Sequence, residues 1–336
     1  YYRPDDVDLL RGIRRLLYGE GYTIRGVQRI LKAHGVRSVQ DLTANAAITF
    51  GPIEQATPDD DERDENLRDV ADEAEDDVVD DGEDADEARF PASLTKMMTL
   101  YMVFGLIEAG KLNNNTPIRV SAQASAVAPS KLDLDPGDTI PLGAAIRALV
   151  TKSANDVAVA IAEHVSGTEA AFARAMTAKA RQLGMRSTVF RNPHGPPDSE
   201  QVTTARDIAT LSMALYDHFP EHALVFATRR FTYAGSSYRN HNTLLGSFEG
   251  MEGIKTGYTR ASGFNLAASV RHHGRHVVAV VLGGRTAAAR NAEMRVLLQR
   301  GLARASTNKT RRPMLIARGE PSRPAPVRHA QAEAST

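Results

Sequence analysis

The sequence contains no cysteine. That excludes a disulfide framework and a thiolate metal site, and it removes redox chemistry as a guide to compartment. Nor does any stretch approach the roughly 18 consecutive apolar residues that cross a bilayer, so no transmembrane segment is expected. The first residues, Tyr1-Tyr2-Arg3-Pro4-Asp5, form neither a basic n-region nor an apolar h-region, and no export signal is read in the chain. The opening residue is Tyr rather than Met, which points to a start further upstream or one that was removed. Net charge is lacking too, with 41 basic and 41 acidic residues, but this balance averages unlike parts. Asp59 to Glu87 carries 18 of the acidic residues against only Arg63 and Arg68, leaving 23 acidic and 39 basic residues elsewhere. A block of like charge with few large apolar residues cannot bury enough surface to offset chain entropy, so residues 49–87 are expected to be a solvated, disordered linker.

What is present divides into unlike segments. In residues 1–48, Val7, Leu9, Leu10, Ile13, Leu16 and Leu17 recur at helical spacing up to Gly19 and Gly21. A second helix is expected from an N-cap at Thr23, through Val27, Ile30 and Leu31, to an end at Gly35. The principal domain is expected over 88–303. It opens with a helix from Ser93 to Gly110 that is apolar nearly all round, as suits the middle of a sizeable core. Further helical patterns run at 143–150, 154–166, 169–183 and 205–218. The period then changes to strands at 251–258, 262–271 and 275–283, with a tight turn at His273-Gly274, and a closing helix follows at 287–303. Residues 304–336, rich in Pro, Arg and Ala beyond Lys309, read as a basic flexible tail.

Three short motifs carry chemistry. Ser93-Leu94-Thr95-Lys96 at a helix start puts a hydroxyl and an amine one turn apart on one face. A serine is a weak nucleophile unless a neighbouring base takes its proton, and a lysine can do so only if desolvation or nearby cations keep it neutral. Helix-start N–H groups add positive potential where an oxyanion would form. Ser153-Ala154-Asn155 lies between two helical patterns, where Asn155 can bind a substrate amide and Ser153 can relay a proton. Lys255-Thr256-Gly257 lies on a strand, where Lys255 can hold a carboxylate and Gly257 leaves room for a substrate chain. Each alone is better explained blandly: a helix-start Ser with a solvated Lys, a capping Ser and Asn, and a turn with an exposed Lys. Their conjunction, in that order and on those elements, is the informative feature.

This constellation resembles the penicillin-recognising serine enzymes. The surrounding residues are most similar to D-alanyl-D-alanine carboxypeptidases of low molecular mass, serine peptidase family S11: Phe90-Pro91-Ala92-Ser93-Leu94-Thr95-Lys96-Met97-Met98-Thr99, Lys152-Ser153-Ala154-Asn155-Asp156 and Gly253-Ile254-Lys255-Thr256-Gly257-Tyr258-Thr259. The likeness extends through Ser262-Gly263-Phe264-Asn265-Leu266 and Gly283-Gly284-Arg285-Thr286. It implies an α/β (α+β) fold of the β-lactamase/transpeptidase type, with an antiparallel sheet flanked by helices and a helical subdomain. It also implies roles: Ser93 as acyl-forming nucleophile, Lys96 as general base, and Ser153 with Asn155 as the second catalytic element. Lys255 and Thr256, assisted by Arg285, would take the substrate carboxylate, and the N–H groups of Ser93 and Tyr258 would form the oxyanion hole. The implied reaction removes the terminal D-alanine from peptidoglycan stem peptides, with β-lactams acylating the same serine, no metal or organic cofactor, and a periplasmic or cell-envelope setting. The family's domain normally begins with two strands before the nucleophile, where this chain carries its acidic block. Without them, the strand 275–283 would keep an apolar edge.

The opening segment is similar to another family. Arg3-Pro4-Asp5-Asp6-Val7 and Tyr18-Gly19-Glu20-Gly21-Tyr22-Thr23-Ile24-Arg25 resemble the later helices of MerR-type regulators, in which the recognition helix comes earlier. Arg11, Arg14, Arg15, Arg25 and Arg29 read as a solvated face, and DNA is not an expected partner. Two rival functions follow. A β-lactamase needs a deacylating glutamate, for which Glu200 in Pro197-Asp198-Ser199-Glu200 is the available candidate without the expected Glu-x-x-Leu-Asn context. A MerR-type transcription regulator with a muropeptide-binding domain would be non-enzymatic.

Overall fold

A computed structural model describes residues 84–196 and 198–308, together with residues 9, 13, 16, 27, 30, 31 and 35–39. The chain divides into two compact units, Tyr1–Asp69 and Val70–Thr336. In the first, Leu9, Ile13 and Leu16 are helical, as are Val27, Ile30 and Leu31. Leu16, Val27, Ile30 and Val39 form a small buried cluster. Gly35 has φ +78°, the left-handed conformation of a helix end, yet a further helical stretch, 35–39, begins there. The acidic linker before residue 84, the tail beyond 308 and Arg11, Arg14, Arg15, Arg25 and Arg29 lie outside the described residues.

The second unit is built around α1, Thr95–Glu108. Met97, Met98, Leu100, Tyr101, Val103 and Phe104 bury around its whole circumference, as the all-round apolar pattern predicts. Around it lie α2 (Ala122–Ala126), α3 (Leu142–Thr151), α4 (Asn155–Ser166), α5 (Glu169–Gln182), α6 (Ala205–His218) and α7 (Pro220–Ala223). Phe104 contributes an aromatic knot with Phe219, His222 and Phe226. Two short antiparallel pairs decorate this body: β1 (Pro117–Arg119) with β2 (Thr139–Pro141), and β3 (Arg230–Tyr233) with β4 (Ser236–Arg239).

The main sheet has the order β5 (Met251–Thr259), β6 (Gly263–His272), β7 (Arg275–Gly284), all antiparallel. Its two faces are both covered. Leu266, Ala268 and Val270 of β6, with Val277, Ala279 and Val281 of β7, pack against Met294 and Leu298 of the closing helix α8, Ala287–Arg304. Ile254, Ala267, Val280 and Leu282 join the helical core on the other side. Double coverage is why Val277 to Leu282 reads as an unbroken apolar run rather than an alternating one. Among the described residues β7 is an edge strand. The segment where two preceding strands were expected lies outside them.

The approach to α1 is fixed by a bridge between Arg89 and Thr203 and by a 3-10 turn, Ala92–Leu94. The expected single helix from Ser93 is thus a tight turn that passes into an α-helix at Thr95. Ser93 is the part-exposed residue in a run that is otherwise buried from Pro91 to Leu100.

Candidate active site

Lys96 is fully buried, and its Nζ donates to three oxygens: Ser93 Oγ at 3.1 Å, Asn155 Oδ1 at 2.7 Å and the His194 carbonyl at 2.6 Å. An ammonium has three N–H groups, so this set saturates it. A neutral amine has two, and keeping the two shorter bonds would leave its lone pair facing Ser93 Oγ. Burial, reinforced by the charge of Lys255 and partly opposed by Asp156, holds Lys96 well below the ordinary lysine pKa.

Asn155 begins α4. Its Nδ2 donates to the Ala128 carbonyl at 2.8 Å, so its Oδ1 must face Lys96. Each end of the side chain thus makes one bond within the protein, and the amide nitrogen retains a second N–H for the substrate amide that Asn155 is expected to bind. Neither Asn155 nor Ser153 caps the helix, since the N-cap is Ala154, without a side-chain bond. Ser153 sits at φ +61°, and its Oγ is buried without a hydrogen-bond partner among the described residues. The adjoining Asp156 is buried and accepts from the backbone N–H groups of Leu132 and Val157, which ties α4 to the loop before β2.

From the sheet, β5 brings Lys255, Thr256 and Gly257. Lys255 Nζ donates to the Thr256 carbonyl at 2.9 Å. Burial, then the neighbouring Arg290, lowers its pKa to about 7. A Cβ at Gly257 would lie 3.1 Å from both the Pro91 carbonyl oxygen and Ser93 N, so glycine is what lets the strand lie directly against the nucleophile's turn. Tyr258 is exposed, with its ring packed on Phe264 at a centroid distance of 4.2 Å. The structure therefore joins Ser93, Lys96 and Asn155 by hydrogen bonds. It sets Gly257 against Ser93 and brings Lys255 close enough to act on the amine of Lys96.

Arg285 is exposed just beyond β7. The guanidinium whose charge reaches Lys255 is that of Arg290, 5% exposed, which donates to the Asn265 carbonyl at 2.7 Å. Asn265 is itself fully buried: its Nδ2 donates to the Phe90 and Pro91 carbonyls, and its Oδ1 accepts from Gly283 N. A chain of polar contacts thus runs from α8 through β6 to the nucleophile's turn. His241, a further residue beside the site, is held down to about 4 by desolvation and by the charges of Lys255, Lys152 and Lys96. His194, Asn265, Arg290 and His241 were all missed as site residues. Arg290 had a legible signal, because Arg290, Met294 and Leu298 form the i, i+4, i+8 buried stripe of α8, an odd place for a cation. Glu200 is exposed and pairs with Arg191 at 3.0 Å, on the surface.

Comparison with known proteins gives a concordant result. A family model described as D-alanyl-D-alanine carboxypeptidase, peptidase S11, matches residues 70–286. A second, described as MerR HTH family regulatory protein, matches residues 1–34. The chain is 34% identical over 230 residues to the D-alanyl-D-alanine carboxypeptidase DacA of Haemophilus influenzae, covering 67% of this chain and 58% of that protein. It is equally similar, 34% over 226 residues, to DacA of Escherichia coli, covering 65% of this chain and 56% of the relative. The chain thus spans a little over half the length of these curated relatives. The crystal structure of the D-alanyl-D-alanine carboxypeptidase DacD from Francisella tularensis superposes with a TM-score of 0.63 at 30% identity, over 66% of each chain.

Proposed function

Because the chain belongs to the peptidase S11 family of D-alanyl-D-alanine carboxypeptidases, we propose that it is a serine peptidase that removes the terminal D-alanine from peptidoglycan stem peptides. The observation that carries the reading is the threefold hold on Lys96 Nζ. With Asn155 Oδ1 and the His194 carbonyl taking the two N–H groups of the neutral amine, the lone pair is directed at Ser93 and can accept its proton as Oγ attacks the penultimate D-alanine carbonyl.

The oxyanion that forms is assigned to the N–H groups of Ser93 and Tyr258, which the tight approach of Gly257 supports. As the tetrahedral carbon collapses, the C–N bond breaks and D-alanine leaves. Its nitrogen takes a proton by way of the Ser153 hydroxyl, an assignment supported by the unpartnered Oγ of that residue. Water then cleaves the ester on Ser93 and frees the shortened peptide. Lys255 and Thr256, assisted by Arg285, are assigned to the substrate's terminal carboxylate, with Arg290 as the buried cation behind Lys255. β-Lactams are the corresponding inhibitors, acylating Ser93.

The β-lactamase alternative has less support, because Glu200, its proposed deacylating base, is exposed and paired with Arg191. We place the protein's work at the cell envelope, where its substrate lies. Among the described residues no helix is long and apolar enough to cross a membrane. The test is release of D-alanine from an N-acylated tripeptide ending in D-Ala-D-Ala. Release by the wild type and none by Ser93→Ala is expected; release undiminished in the variant overturns the assignment.

A further inference from the structure

Holding one of the two acceptors on Lys96 is a backbone problem, because the His194 carbonyl belongs to a loop between α5 and α6. Several contacts brace that loop and fasten it to the nucleophile helix and its preceding turn. Thr99 Oγ1 donates to the Pro193 carbonyl at 2.7 Å, and Asn192 Oδ1 accepts from the N–H groups of His194 and Gly195. Gly195, at φ +95°, lies so close to the Ala92 carbonyl that a Cβ there would be 1.9 Å from its oxygen. Gln201 clamps the loop's start, accepting from Arg191 and Asn192 N–H and donating to Asn192 Oδ1, and the His194 side chain makes a further hold.

The imidazole is 6% exposed, with Nε2 at 3.2 Å from Glu169 Oε1. Glu169 is the first residue of α5, and its other oxygen accepts from Gln123 Nε2 of α2 at 2.9 Å. His194 Nδ1 is buried and has no hydrogen-bond partner among the described residues. A side chain that merely filled this space would be better apolar, since a buried ring nitrogen without a partner carries a desolvation cost that a phenyl ring does not. What the imidazole adds is the bond to Glu169, and that bond resists rotation of the peptide whose oxygen faces Lys96.

We propose that Glu169 and His194 form a positioning pair, in which the carboxylate on α5 holds the imidazole and thereby keeps the His194 carbonyl on Lys96 Nζ, aiming the amine at Ser93. The proposal deepens the reading of Lys96 as general base and rests on it. Neither residue touches substrate; both act through Lys96. The charged or titratable groups facing this amine are Lys255 from β5, Asp156 from α4, His194 from the loop and His241 beyond β4. Those facing the imidazole are Glu169 and Lys96.

The variants are Glu169→Ala, which removes the bond, and Glu169→Gln, which removes the charge but keeps an oxygen for Nε2–H. His194→Phe keeps the bulk without the nitrogen and serves if Glu169→Ala does not fold. A carbonyl acceptor favours the ammonium over the amine, so losing it lowers the midpoint of Lys96. In Glu169→Ala or His194→Phe the acid limb of the acylation rate, followed with a fluorescent penicillin, should move down by about half a pH unit or more. The plateau rate should fall about tenfold through misaim. Glu169→Gln should stay within about twofold of wild type with its limb unmoved, because the positioning bond survives. An unmoved limb in Glu169→Ala, or a Glu169→Gln variant as impaired as Glu169→Ala, overturns the proposal.

NMR titration of the Lys96 ε-carbon in labelled protein, without any β-lactam, separates this from the reading beneath it. A midpoint that moves in Glu169→Ala and not in Glu169→Gln upholds the pair even if wild type fails to acylate, in which case only the base assignment is lost. A midpoint unmoved in both sinks the pair even if wild type acylates normally.

Discussion

Two buried lysines, one on a helix and one on a strand, are brought to the same place and treated differently. Lys96 on α1 is saturated by three oxygens, while Lys255 on β5 has one protein acceptor among the described residues, the Thr256 carbonyl, with Arg290 behind it. Both are pushed toward neutrality by burial. A fully committed amine has fixed direction and suits proton transfer with a neighbouring hydroxyl. An amine with N–H groups to spare suits a ligand that supplies acceptors. The difference supports the proposed assignment of the helix-borne lysine as base and the strand-borne lysine as receptor, and mutations should separate the two roles.

The largest effect should come from Lys96→Ala, which leaves Ser93 with no proton acceptor. Acylation by penicillin should slow roughly a thousandfold, read by stopped-flow, with little change in initial binding. Lys255→Ala should act mainly on recognition: KM for peptides with a free terminal carboxylate should rise roughly 30-fold or more, and much less for substrates whose carboxylate is amidated. Equal losses on both substrates would erase the distinction.

The contrast also has a pH signature. A substrate carboxylate favours the ammonium of Lys255, so the bound pKa lies above the free value of about 7. Affinity should be flat below that pH and weaken as pH rises through it, by about tenfold per unit until the bound value is passed. KM measured across this range checks it. Stability should run the other way. Both lysines are held below the unfolded value of about 10.4, so the unfolded state binds more protons, and through Lys255, at about 7, stability rises with pH from about 7 to 10. By the same logic, Lys255→Met should raise Tm by about 3 °C at pH 6, where the buried cation is most costly, while abolishing carboxylate recognition. The smallest effect should be Glu200→Gln, whose acylation and deacylation rates should stay within about twofold, as befits an exposed surface pair.

Much of the frame was legible in the sequence. The pattern at 205–218 matches α6 residue for residue, and those at 154–166 and 275–283 match α4 and β7 within one residue, because long apolar stripes and buried runs are strong periodic signals. The pairs β1–β2 and β3–β4 were not foreseen, since strands of three or four residues are too short to show alternation.

Within the site, Ser93, Lys96, Ser153, Asn155 and Lys255 were found by motif, but their hydrogen-bond partners were not. The His194 carbonyl and the Ala128 carbonyl are backbone atoms, which residue type cannot reveal. Asn265 and Arg290 are polar residues on apolar stripes, and Arg290 nears Lys255 only in space, whereas Arg285 was read from the motif it adjoins.

The most direct test of the account is intact-protein and peptide mass spectrometry after incubation with benzylpenicillin. The account predicts one adduct of the intact penicillin's mass, located on Ser93 and absent from Ser93→Ala. A folded wild-type protein without an adduct, or with one on another residue, would contradict it.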